Sequence, residues 1–150
     1  MASSRWHGGS RRGDVRRERL ADVVVDTSVL VAIARDEPEA PTFRALLQGS
    51  DYASISTATL METSLVLRDD AGQRFLDRAA MGLDIIAFDE RQLAVAREAH
   101  RRYGTGSRHR ARLNYGDCFS YALAITTGEP LLFKGDHFRH TDVTAAYVPD

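Results

Sequence analysis

Four short apolar runs alternate along the chain with longer stretches of helical periodicity. Val23-Val24-Val25, residues 52–55, Ile85-Ile86-Ala87-Phe88 and Leu131-Leu132-Phe133 read as strands, and residues 145–148 as a closing edge strand. Between them, helices are predicted at 28–35, 39–49, 57–68, 74–81, 90–103 and 117–127. In the second, Phe43, Leu46 and Leu47 share a face and Gly49 is the stop. In the fourth, Phe75, Leu76, Ala79 and Ala80 form the stripe and Gly82 ends it. Leu93, Ala96, His100 and Tyr103 mark the inner face of the fifth, and Cys118, Tyr121, Ala122 and Ile125 that of the sixth. Strands that are apolar at successive positions are buried on both faces, which implies a parallel sheet between helical layers. The expected class is α/β: one three-layer α/β/α domain over residues 23–150, with a short, mostly parallel central sheet.

Residues 1–22 break the pattern. They carry Arg5, Arg11, Arg12, Arg16, Arg17 and Arg19 among several glycines and lack periodic apolar positions, so they are expected to form a basic, disordered extension. A basic arm touching nucleic acid is one reading of it, and a natural start near Val23 or Val24 another. The chain as a whole has 150 residues and net charge −1, so nucleic-acid binding would fall to a local patch rather than a global basic surface. A single cysteine, Cys118, rules out a disulfide within the chain and fits a cytoplasmic location. Cys118 falls on an apolar helix face with no base placed for it, so it reads as packing rather than a nucleophile. No apolar run approaches a membrane span, and no apolar stretch follows the basic residues as a secretory signal would require.

The candidate chemistry is acidic. In a parallel sheet, sites form at the carboxyl ends of the strands. Asp26 and Asp136 each lie just past a predicted strand, Glu62 in the first turns of the helix after the second strand, and Asp117 at the start of the helix leading to the last. Each alone has a local explanation. Asp26 caps a helix, Thr59-Leu60-Met61-Glu62 reads as a capping box, Asn114–Asp117 as a cap with a first-turn acid, and Asp136 as a turn residue. Together on one edge they would repel one another unless a cation held them. Carboxylate ligation selects Mg²⁺ or Mn²⁺, and such sites suit phosphodiester hydrolysis. His137 and His140 lack a zinc-type partner set and are taken as surface or substrate-facing residues.

Four segments resemble the acidic motifs of the PIN-domain family, in its VapC-toxin branch. They are Val24-Val25-Asp26-Thr27-Ser28, Ser56-Thr57-Ala58-Thr59-Leu60-Met61-Glu62, Leu113-Asn114-Tyr115-Gly116-Asp117-Cys118-Phe119-Ser120-Tyr121-Ala122 and Pro130-Leu131-Leu132-Phe133-Lys134-Gly135-Asp136-His137-Phe138. The third is the most specific. The resemblance spans about residues 23–150 and implies a Mg²⁺- or Mn²⁺-dependent endoribonuclease that cuts structured RNA such as tRNA or rRNA. It also implies a homodimer and a cognate VapB-type antitoxin. Asp26 and Asp117 would be the metal ligands, Glu62 would help hold metal or water, and Asp136 would be the fourth acid, with Asp142 in reserve. Thr27 or Ser28 would bond the metal water or a phosphate.

A basic segment, 104–113, precedes the Asp117 motif. Arg108, Arg110 and Arg112 are candidate RNA-backbone contacts, Tyr103 or His109 candidate stacking groups, and Lys134 a candidate phosphate contact or internal ion pair. Leu30, Ile33, Phe43 and Leu46, or the 75–83 stretch, would serve a partner or else be core. A receiver-type phosphate-transfer module would want adjacent acids after the first strand, and a haloacid-type phosphatase Asp-x-Asp. Asp26-Thr27-Ser28 offers neither. The remaining alternative is a catalytically weak PIN-like module that binds RNA or protein.

Overall fold

The computed structural model describes residues 22–150, so the expected basic extension falls almost wholly outside the described residues. Strand β1 (Val23–Val25) leads into α1 (Thr27–Ala34) and α2 (Ala40–Gly49). Then β2 (Ala53–Ser56) leads into α3 (Thr57–Val66) and α4 (Asp70–Met81), and β3 (Asp84–Ile86) into α5 (Glu90–Tyr103) and α6 (Asp117–Thr127). β4 (Leu131–Leu132) follows, and then a 3₁₀ turn at His137–His140. The sheet order is β3-β2-β1-β4 with every pairing parallel. Successive strand residues point to opposite faces. Val23, Val25, Ile55 and Leu132 therefore join one core with Val29, Leu30, Phe43, Leu47 and Leu76, while Val24, Leu131 and Phe133 join a second with Ala96, Tyr103, Tyr121 and Leu123. These are the two cores of a three-layer α/β fold. No helix among the described residues is long and apolar enough to cross a membrane.

Several elements depart from the periodicity reading, each for a local reason. α4 begins four residues before the expected position, because the Asp69 side chain accepts the Gly72 N–H at 2.6 Å and caps a turn with no large apolar residue. The third strand stops at Ile86. Ala87 and Phe88 are drawn off it, since the Phe88 N–H donates to Thr57 Oγ1 and the Ala87 carbonyl accepts from Gln92 Nε2. β3 is also the sheet edge, and Ile85 and Ile86 are exposed. On α5 the buried face is Gln92, Ala96, Ala99 and Tyr103, with Leu93 and His100 outside, one position round from the expected stripe. Residues 145–148 form no strand. Thr144 and Ala146 bracket Leu131 through two 2.8 Å backbone bonds, making a single bridge at Ala145.

Candidate active site

After β1 the chain builds β2 and β3 on one side and returns to lay β4 on the other. The crevice outside the carboxyl ends of β1 and β4 is thus the topological switch point, where open α/β sheets bind ligands. Asp26 leaves β1 into that crevice and caps α1. Its Oδ2 accepts from the Ser28 N–H at 3.0 Å and the Ser28 hydroxyl at 2.7 Å, and its Oδ1 from the Ser120 hydroxyl at 2.6 Å. Ser28 Oγ in turn accepts the Lys134 N–H at 2.9 Å, tying the exit of β4 to Asp26.

Asp117 opens α6 in a reciprocal box. Its backbone N–H donates to Asn114 Oδ1 and its Oδ2 accepts the Asn114 N–H, both at 2.9 Å. Glu62 makes no such box, contrary to the capping reading. Ser56 caps α3 through Ala58 N–H at 3.2 Å, which places Glu62 in the second turn, and Thr59 bonds Ser120 instead. The Glu62 carboxyl lies against Gly116, where a Cβ would overlap its oxygens. Only glycine admits the acid there.

The electrostatics follow from this crowding. Burial pushes the Asp26 carboxyl above its ordinary range and the Asp117 charge adds to that, while the Ser120 and Ser28 hydrogen bonds pull it back. Glu62 is pushed up to about 7, by burial first and then by the charges of Asp26 and Asp117, with the Thr27 hydroxyl offsetting part of the rise. Its Oε2 is buried without a hydrogen-bond partner. Asp26, Glu62, Asn114 and Asp117 share an open cleft of about 290 Å³ with Thr27, Ser28, Val31, Lys134, Gly135, Asp136, His137 and Phe138. Among the described residues, no group of three or more His, Cys, Asp or Glu side chains stands close enough together to hold a metal ion by itself. The donors that face the cleft leave room for water. That fits Mg²⁺, which keeps several waters and takes one or two carboxylates, and the orphaned Glu62 oxygen is the kind of acceptor a hydrated cation satisfies.

The PIN domain family model matches residues 23–143. This chain belongs to the PIN-domain family. Within it the chain is of VapC ribonuclease type. It is 48% identical over 134 residues to Ribonuclease VapC30 of Mycobacterium tuberculosis, covering 85% of this chain and 100% of that protein. It is 49% identical over 132 residues to Ribonuclease VapC of Mycolicibacterium smegmatis, covering 83% and 100%. Among solved structures it is similar in fold to VapBC2 from Rickettsia felis bound to a DNA fragment from their promoter. There the TM-score is 0.65 and the identity 18%, over 83% of this chain and 96% of that one.

The PIN domain brings Asp26, Glu62 and Asp117 together and leaves the expected fourth acid aside. Asp136 lines the cleft rim but is 81% exposed, with Oδ1 3.8 Å from Arg139 Nε. Gly135, at φ +98, turns the chain, and His137, two positions on, faces in, with Nδ1 2.8 Å from Asp117 Oδ2. Of the two expected places, surface or substrate-facing, His137 takes the second, half exposed and lining the cleft. Asp142, the reserve acid, lies outside the cleft and accepts from the Tyr121 hydroxyl at 2.6 Å. Ser28 binds Asp26 as described. Thr27 is buried, donating to the Thr59 carbonyl and accepting from Thr63. The Lys134 ammonium pairs with Glu37 and Glu39.

Arg108, Arg110 and Arg112 are exposed on the loop before Asn114, outside the cleft lining. That loop is tied down, with Thr105 N–H to the Leu113 carbonyl and Leu113 N–H to the Tyr103 carbonyl, each 2.9 Å. Neither expected stacking group is free. Tyr103 is 3% exposed, and His109 packs edge-on against it while its Nδ1 accepts the Ala111 N–H. Leu30, Ile33 and Phe43 are core rather than partner surface. Ser120 is the site residue absent from the sequence reading. Its signal was a small hydroxyl one turn past Asp117 on an otherwise apolar helix.

Proposed function

We propose that this PIN domain is a Mg²⁺- or Mn²⁺-dependent endoribonuclease toxin that hydrolyses phosphodiester bonds in structured RNA such as tRNA or rRNA. The observation that carries the reading is the convergence of Asp26, Glu62 and Asp117 in one cleft, where burial and repulsion push Glu62 to about 7. Asp26 and Asp117 would hold the cation, with Glu62 beside it. Such a cation neutralises charge at the scissile phosphate and acidifies a bound water. Glu62, with its unpartnered Oε2, is the group placed to take the proton of the attacking water. Ser28 and Ser120 fix Asp26, and Asn114 fixes Asp117, so the carboxylates keep their positions as substrate enters. With Lys134 held by Glu37 and Glu39, the exposed Arg108, Arg110 and Arg112 on the loop leading into Asn114 would supply the positive charge that RNA phosphates need.

The Rickettsia felis neighbour is a VapBC pair, and by extension the partner here is a VapB-type antitoxin. A homodimer completes the reading. It is supported by exposed apolar residues: Met61 and Leu65, one turn apart on α3, and Ile85 and Ile86 on the sheet edge. Incubation of total RNA with the purified protein and Mg²⁺ or Mn²⁺, beside EDTA and Asp117→Asn controls, tests the catalytic reading. Discrete fragments that vanish in both controls are expected. A folded, metal-loaded protein that cuts no RNA would favour the alternative of a catalytically weak RNA- or protein-binding module, for which the outward Asp136 speaks.

A further inference from the structure

The turn after β4 sets an imidazole beside Asp117 and leaves its own acid, Asp136, on the exposed rim of the cleft. Asp136 is turned out to Arg139, and Gly135 at φ +98 sets the turn that presents His137 instead. His137 lines the same cleft as Asp26, Glu62 and Asp117, and its ring is half exposed. Its Nδ1 stands 2.8 Å from Asp117 Oδ2.

We propose that His137 is a nitrogen ligand of the cation site, and that it biases this site toward Mn²⁺ and the later transition ions over Mg²⁺. The proposal rests on the metal-dependent reading above. Three features carry it. Two adjacent corners of an octahedral shell with bonds of roughly 2.1 Å lie about 3 Å apart. The spacing of His137 Nδ1 and Asp117 Oδ2 is close to that edge. Asp117 Oδ2 has two lone pairs, one of which takes the Asn114 N–H. His137 Nδ1 engages the same oxygen, so a cation that displaces this hydrogen bond arrives beside Nδ1. A neutral imidazole then need only carry its proton on Nε2 rather than Nδ1, with no net proton gained or lost. Finally, the half-exposed ring has freedom to adjust, whereas Asp26 is buried and fixed by its Ser28 and Ser120 bonds. Imidazole nitrogen suits the later transition ions best, and Mn²⁺, the first of that series, accepts it more readily than Mg²⁺, which keeps to oxygen.

The test uses the full chain and the metals themselves as probes. Titration calorimetry gives Mn²⁺ and Mg²⁺ affinities for the wild type, His137→Asp and His137→Ala, with thermal unfolding to confirm that each variant folds. Pulsed EPR of the Mn²⁺-loaded proteins reads directly bound imidazole nitrogen. The wild type is expected to show that nitrogen coupling, and His137→Ala to lose it. His137→Asp should lower the Mn²⁺/Mg²⁺ affinity ratio by about tenfold or more. Mn²⁺ bound without imidazole coupling, or an unchanged ratio in His137→Asp, would overturn the role of His137 alone. Equal weakening of both ions in His137→Ala, again without coupling in the wild type, would mark a residue that only orients Asp117. A wild type that binds neither ion would overturn the metal-dependent reading as well.

Discussion

Ser120 donates its hydroxyl proton to Asp26 Oδ1 across 2.6 Å, joining α6 to the residue that leaves β1, 94 positions earlier. The same hydroxyl meets Thr59 Oγ1 at 3.2 Å, so one small side chain binds α6, α3 and the end of β1 at the cleft floor. Ser120→Ala leaves Asp26 with its Ser28 bonds only, and a buried carboxylate with one fewer donor holds its charge less well. The expected result is a loss of about 1–2 kcal/mol in stability, with Mn²⁺ affinity and RNA cleavage both reduced. Thermal unfolding and metal titration would check it. Unchanged metal affinity would mean that the Ser28 bonds suffice.

Gly116 precedes Asp117 at an ordinary φ of −67, so alanine there strains no backbone. Its Cβ would nonetheless occupy the position of the Glu62 carboxyl. Because the obstructed group is the far end of a flexible side chain, Gly116→Ala should fold with a stability change within about 1 kcal/mol and yet lose RNA cleavage by roughly tenfold or more. Parallel unfolding and cleavage assays would reveal the split. Retained activity would show that Glu62 can work from a displaced position.

Three acids of the cleft were legible because each stands where the chain changes from strand to helix or in the first turns of a helix that starts at the sheet's carboxyl edge. That placement follows from the order of elements and needs no side-chain detail. The fourth was not. Which of Asp136 and His137 reaches Asp117 is set by the path of the turn at Gly135, where φ is +98, and composition gives no sign of it. Ser120 was hidden for a different reason. Its role is a contact between elements 94 residues apart, and within its own helix it reads only as a small polar residue. Ile85-Ile86 looked like any other buried strand because an apolar run is the same at a sheet's edge as at its centre. The inner face of α5 slipped by one position because polar Gln92 is buried, held by its bond to the Ala87 carbonyl, while Leu93 is left outside.

Cys118 follows a site residue yet is chemically quiet. Burial, with the Asp117 charge beside it, pushes its thiol up to about 11, and its Sγ lies 3.4 Å from the Asn114 carbonyl. The thiolate is the reactive form, so native protein at pH 8 should resist alkylation by iodoacetamide and react once unfolded in guanidinium. Mass spectrometry of the two samples distinguishes them. Rapid native alkylation would place the thiol in a more open setting than α6 provides.

Glu62 makes the metal-free fold pH-sensitive, and the sign can be worked out. Its carboxyl holds a proton up to about 7 in the folded protein against 4.5 as the ordinary value. Between these limits the folded state binds more protons than the unfolded one, so stability falls as pH rises through about 4.5 to 7 and levels off above. Asp26, also raised, adds to the same slope. A divalent cation reverses the penalty by occupying the proton's place, so metal affinity should climb with pH over this window. In EDTA, Glu62→Gln should match the wild type near pH 4 and melt about 2–4 °C higher at pH 8, because the amide carries no charge to bury. Melting curves from pH 4 to 8, with EDTA and with Mn²⁺, separate the two effects. A metal-free wild type whose melting point does not fall across the window would mean that Glu62 is solvated rather than pressed against Asp26 and Asp117.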